Sequence, residues 1–155
     1  MTTKTELKYS WMYNSLFDPK FGKKDIQILK KKCVKFERIY TLNIKKILTL
    51  IENNFNKWEE KYIPIFIIKN GSIFCDPITI RYEENPKVML IRVFHELIHV
   101  NIKNKKFKNE YLMHKWMDKK MIPLLDKIPT NLKEEIFVLE RMTNKWKLKC
   151  EKNDK

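Results

Sequence analysis

The stretch Asn85-Pro86-Lys87-Val88-Met89-Leu90-Ile91-Arg92-Val93-Phe94-His95-Glu96-Leu97-Ile98-His99-Val100 decides how the chain folds. Asn suits a helix N-cap because its side-chain oxygen accepts from a free backbone N–H. Pro suits the first helical position, where its missing N–H is not needed. The pair predicts a helix that opens at Asn85-Pro86 and runs to about Lys103. That helix is apolar on almost every side, through Val88, Met89, Leu90, Ile91, Val93, Phe94, Leu97, Ile98 and Val100. A helix without a polar face lies in the middle of a domain. His95, Glu96 and His99 are then polar groups in an apolar setting, where burial without compensation is expensive.

Upstream, Tyr62 to Ile68 is β-branched and aromatic, and reads as a strand. Asn70-Gly71 is a hairpin signal, because both residues tolerate positive φ. Ser72 to Cys75 is the expected returning strand, and Ile78 to Tyr82 alternates as a further one. Together they predict a small antiparallel sheet of two or three strands before the helix. Further back, Ile26, Leu29, Cys33 and Phe36 recur at helical spacing, as do Ile44, Ile47, Leu48, Ile51 and Phe55. These predict two amphipathic helices, joined by a bend or merged into one. The residues up to Gly22 read as an irregular aromatic arm.

Downstream, a basic loop from Asn104 to Lys108 leads to a second helix, Asn109 to Ile122, stopped by Pro123. After Pro129, a cap at Thr130 or Asn131 opens a last helix to about Lys147. Glu134 stands three residues after Asn131, as in a capping box. The charged tail beyond Cys150 is expected to fray. The expected fold class is α+β: mostly helical, with a small antiparallel sheet ahead of the central helix. One domain is expected over 1–155, with an arm over 1–22, helices and sheet over 23–84, and the central and following helices over 85–148.

Composition narrows the function classes. At 155 residues with 43% hydrophobic content, the chain can bury a core without staples. Only Gly22 and Gly71 are glycines, which argues against a Gly-rich phosphate loop or a dinucleotide fingerprint. Cys33, Cys75 and Cys150 form no CxxC pair, so neither a zinc ribbon nor a disulfide framework is expected. No signal-peptide pattern opens the chain, and no 18-residue apolar run occurs, so the expectation is a cytoplasmic protein without membrane contact. The net charge of +14 comes from 29 Lys and only 4 Arg. Such a surface admits nucleic acid as a partner, but Arg is the residue best suited to phosphate and base contacts. Solvated lysines are preferred over a specific nucleic-acid surface.

His95 and His99 are four apart, so on a helix both imidazoles share a face and can reach one metal ion. Glu96 follows the first histidine, where its carboxylate can take a proton from a bound water. This is the H-E-x-x-H arrangement of zinc hydrolases. Zinc would lower the pKa of its water and polarise the substrate carbonyl. Glu96 would serve as general base and then donate to the leaving amine. All three histidines of the chain fall between residues 95 and 114. Zn2+ is therefore the expected cofactor, with a polypeptide as substrate.

Catalytic zinc needs a third protein ligand and one open position. An HExxHxxGxxH pattern would place it at residue 105, which is Lys105, so that pattern is excluded. Glu110 and His114 are i and i+4 on the next helix, and either can serve. Glu134, Glu135 and Glu140 remain if the last helix supplies the ligand. The residues Ile78 to Met121 resemble the SprT-like metalloproteases, in which a strand precedes the HExxH helix and a third histidine follows a basic loop. In that family the third histidine lies fifteen residues after the second, as His114 does after His99. Met113 and Lys115 flank His114 where the family has a glycine; Arg92, three before His95, stands where the extended HExxH peptidase pattern usually has a small or β-branched residue. The resemblance implies a zincin-like fold, a His95, His99 and His114 ligand set, and action on DNA-bound proteins. The chain is also similar to minimal gluzincins, which implies Glu110 as the ligand with His114 beside it. Tyr111 is a lesser candidate for steadying an oxyanion. Trp58, Trp116 and Trp146 read as core anchors. Lys103, Lys105, Lys106 and Lys108 read as a solvated loop, and Ile78 to Tyr82 as an edge that could receive an extended peptide.

Overall fold

The computed structural model describes residues 3–153. In chain order these form β1 (Lys4–Lys8), α1 (Trp11–Ser15), α2 (Lys23–Asn54), β2 (Tyr62–Ile68), β3 (Phe74–Cys75), β4 (Ile78–Arg81), α3 (Pro86–Asn101) and α4 (Glu110–Met121). Two 3₁₀ turns, Ile122–Lys127 and Lys133–Glu135, then lead to α5 (Ile136–Asn153). The class is α+β, with one small sheet ahead of the central helix. No helix among the described residues is long and apolar enough to cross a membrane.

The sheet is mixed rather than antiparallel. Its order is β1-β2-β4-β3. β1 and β4 both run parallel to β2, and only β3 is antiparallel to its neighbour. Asn70-Gly71 therefore does not fold β2 back on itself. The chain leaves β2, passes beyond β4 to lay down β3 on the outside, and then returns as β4. Burial explains the order: Ile78, Thr79 and Ile80 are fully enclosed, whereas Phe74 is exposed and suits an outer position. Gly71 has φ +120°, and a Cβ there would come within 2.8 Å of the Phe17 ring. The glycine thus answers a close approach by the N-terminal segment rather than a two-residue turn. β4 is paired on both sides and is not a free edge for a peptide; β3 holds that outer place.

The N-terminal arm is ordered. Lys4–Lys8 pairs with Tyr62–Phe66, and the Tyr62 hydroxyl donates to Glu6 at 2.6 Å. The two expected amphipathic helices are one, because Ile39 and Tyr40 carry the apolar stripe across the interval between them. Its inner face, from Ile26 through Phe36, Ile47 and Ile51, packs on α3.

α3 begins as its sequence predicts. Asn85 Oδ1 accepts from Lys87 N at 2.9 Å, and Pro86 follows. Residues Val88 to Ile91 and Val93 to Ile98 are buried. The helix ends at Asn101, whose side chain and carbonyl exchange three hydrogen bonds with Asn56 just past α2. That tie fixes where α3 stops and where the loop to α4 starts. At the last helix the expected cap at Asn131 is not formed: Leu132 holds the N-cap place of the short Lys133–Glu135 turn, and Asn131 Oδ1 accepts from Lys133 N just ahead of it. Thr130 turns inward to Asn43, and the α-helix starts at Ile136 and continues past Lys147.

Candidate metal centre

His95 and His99 project from one face of α3, and His114 comes from α4. Asn109 starts α4 by accepting from Leu112 N at 2.9 Å, which orients the helix so that His114 meets α3. His95 is fully buried and His114 is 3% exposed. His99 Nε2 lies 3.0 Å from His95 Nε2 and 3.3 Å from His114 Nε2. All three potential ligand atoms fall within 4.8 Å of one another. Tetrahedral ligands at about 2.0–2.1 Å from a zinc ion stand about 3.3–3.4 Å apart. The spacing of the cluster fits that requirement.

The protonation pattern fits it too. His114 Nδ1 donates to the Glu110 carbonyl at 2.8 Å, since a carbonyl can only accept. The Nε2 of His114 therefore presents a lone pair. His99 Nε2 can make only one of its two contacts as a hydrogen bond. With a proton it has one N–H for two neighbours; without one it meets the lone pair of His114. His95 Nδ1 is buried without a partner. A cation on the Nε2 side would not supply one, so the case for a cation rests on the crowded Nε2 atoms of the three rings. A cation between the Nε2 atoms would engage all three lone pairs at once.

Burial also keeps the imidazoles neutral, as metal ligands must be. Desolvation drives His95 well below the ordinary histidine value, with the neighbouring rings adding to it. Desolvation, and then His114, push His99 down to about 3. Desolvation lowers His114, against the opposing Glu110 carbonyl. In the unfolded chain these groups take up protons near pH 6.5. Their depressed folded values mean that stability is lost as pH falls below that point. Glu96 works the other way, because burial raises it to about 8 against the pull of Arg92. Burial likewise raises Asp118 to about 6. Three imidazoles still outnumber these two carboxyls, so metal-free protein is expected to melt at lower temperature at about pH 5 than at about pH 7. Thermal melts across that interval check this, and a flat or rising melting temperature would contradict it.

No known protein family, curated protein or solved structure matches this chain. The centre is therefore read from its own geometry.

Glu110 stays outside the cluster. Its side chain is half exposed, and its carboxylate lies 3.9 Å from His114 Nδ1, the ring edge turned away from the other histidines. Glu135 is buried against the N-terminus of α3, where it accepts from Asn85 Nδ2 at 3.2 Å. Glu134 and Glu140 are exposed. Among the described residues, the group able to hold a metal is His95, His99 and His114.

Glu96 is 5% exposed, and it lines, with His99 and His114, a cleft of ≈ 740 Å³. One wall of the cleft is the segment from Ser72 to Asp76, and the other is α5 through Met142, Lys145 and Trp146. Arg92 pairs with Glu83 and still touches the cleft. Tyr111 lies under Lys115 and does not line it. Trp146 is the residue that sequence reasoning misassigned to the core. Its ring stacks on His114 at 5.6 Å and 23°. No spacing rule links residues 114 and 146; only the packing of α5 on α4 brings them together.

Proposed function

We propose that this chain is a zinc-dependent peptidase in which His95, His99 and His114 hold the metal and Glu96 is the general base. The convergence of three neutral imidazoles beside a buried carboxylate, at the floor of an open cleft, carries this reading. Three protein ligands leave one position free, which distinguishes a catalytic zinc site from a closed structural one. When bound, zinc supplies Lewis acidity, lowering the pKa of a water and polarising a carbonyl.

The rest falls to the chain's own residues. The rigid, fully packed α3 sets His95 and His99 at a fixed interval, and α4 brings the third imidazole with its tautomer already chosen by the Glu110 carbonyl. Burial raises the proton affinity of Glu96 in the metal-free chain, and a cation held by the three imidazoles would draw it back toward the ionised form that a general base needs. It would remove the proton from the attacking water and return it to the leaving amine. The fifteen-residue interval from His99 to His114 supports the SprT-like form of this reading over the gluzincin form.

The test is removal of the metal. Zinc-loaded protein is expected to cut an unfolded protein such as casein. A chelator should stop the cleavage, and added zinc should restore it. Casein left intact by the zinc-loaded chain, or cleavage indifferent to the chelator, would count against the proposal.

A further inference from the structure

The cleft does not close beyond the histidines. It continues into a second hollow of ≈ 660 Å³ between the loop that follows α3 and the outer half of α5. Met113 and Trp146 line both parts and join them into one groove. Three exposed lysines stand along it: Lys105 from the loop, and Lys145 and Lys149 from α5. The two on α5 are one helical turn apart, so they share a face.

The lack of an acidic partner separates these lysines from the other cations of the groove. Arg81 and Arg92 are tied to Glu83, and Lys103 is tied to Glu60. Among the described residues, Lys105, Lys145 and Lys149 make no ion pair. Aromatic rings carry two of them: Lys105 lies 4.5 Å from the Trp116 ring centre, and Lys149 lies 4.4 Å from that of Trp146. Of the acids that line the groove, Glu96 and Asp76 belong to the part over the histidines or beside β3, and Glu110 lines both parts. In the second hollow the unpaired Lys105 and Lys149 outnumber the one acid, Glu110, so the balance there is positive.

We infer that this groove binds acidic segments of a polypeptide, and that Lys105, Lys145 and Lys149 are its specificity-determining residues. The inference rests on the peptidase reading, which is what lays a polypeptide across the histidine centre. Unpaired ammonium groups along a cleft with partly apolar walls focus their field on an anionic segment. The attraction is screened by salt, with a Debye length of about 8 Å at physiological ionic strength. A polypeptide is favoured over nucleic acid because both arginines of the groove are already engaged by Glu83. The forked donors that phosphates favour are therefore not on offer.

Binding is measured on the zinc-loaded Glu96→Gln protein, which holds peptide without cutting it. Labelled short peptides share one apolar centre and differ only in flanks of Glu, Gln or Lys. At low salt the Glu peptide is expected to bind most tightly and the Lys peptide least, about tenfold or more apart. Combined Lys105→Glu, Lys145→Glu and Lys149→Glu substitution should invert the order, since all three side chains are exposed and the fold does not depend on them. Equal or undetectable affinities, or an order that survives the reversal, would overturn the inference. So would an oligothymidylate that outcompetes the Glu peptide through the same three lysines, which would make the groove a nucleic-acid site. Cleavage by the wild type separates the two levels. Peptides cut without regard to charge leave the peptidase reading standing and defeat the groove assignment. A Glu peptide held through the lysines but never cut supports the groove and defeats the peptidase reading.

Discussion

Glu96→Gln is expected to lower peptide hydrolysis by about 10²–10⁴-fold, the usual contribution of a positioned general base, while zinc remains bound. The substitution keeps the shape of the side chain, and Glu96 is 5% exposed, so the amide fills the same enclosed space. It removes the only carboxylate that lies on α3 between the two histidines. The amide is neutral, so it places no charge in this enclosed site and should not lower the melting temperature. None of the three imidazole contacts depends on it. The result to look for is therefore a split: unchanged zinc content and folding, with turnover reduced to a trace. Cleavage at the wild-type rate would remove Glu96 from the mechanism. Loss of zinc would instead make it part of the support of the site.

The second large effect belongs to His114. His114→Ala should weaken zinc binding by more than about 100-fold, beyond the about 10–100-fold that losing an outer hydrogen-bond partner costs. The loss arises because two imidazoles from one helix face leave the ion half coordinated. Glu110→Ala should change affinity by less than about tenfold. Its carboxylate lies on the Nδ1 side of His114, and the group that orients the ring is the backbone carbonyl, which the substitution keeps. A titration against a chromophoric zinc chelator separates the two variants. Equal losses in both would mean that the carboxylate contributes directly. Loss in Glu110→Ala alone would restore the gluzincin form of the site.

These two residues also mark how far the sequence could be read. Periodicity, the Asn85 cap and Pro86 placed α3 and its two histidines, because those signals are local to the helix that bears them. The choice between Glu110 and His114 was not local. It depended on how the loop from Ile102 to Asn109 turns α4 toward α3, and both residues share a face of α4. The sheet escaped for a related reason. Lys4 to Lys8 has an almost wholly charged and polar composition, and it becomes a strand only by parallel pairing with the apolar β2 some sixty residues on. Gly71 signalled a turn, but its partner is Phe17, far away in sequence. Trp146 escaped too, since its contact with His114 exists only through the packing of α5 on α4. What lies within one helix was legible; what required two elements to meet was not.

The zinc content of wild type, His114→Ala and Glu110→Ala, prepared alike and dialysed against the same trace of zinc, tests the three-imidazole centre most directly. The geometry predicts about one zinc per chain in wild type and Glu110→Ala, and almost none in His114→Ala. A wild type that takes up no zinc, or a His114→Ala protein that retains a full equivalent, would contradict it.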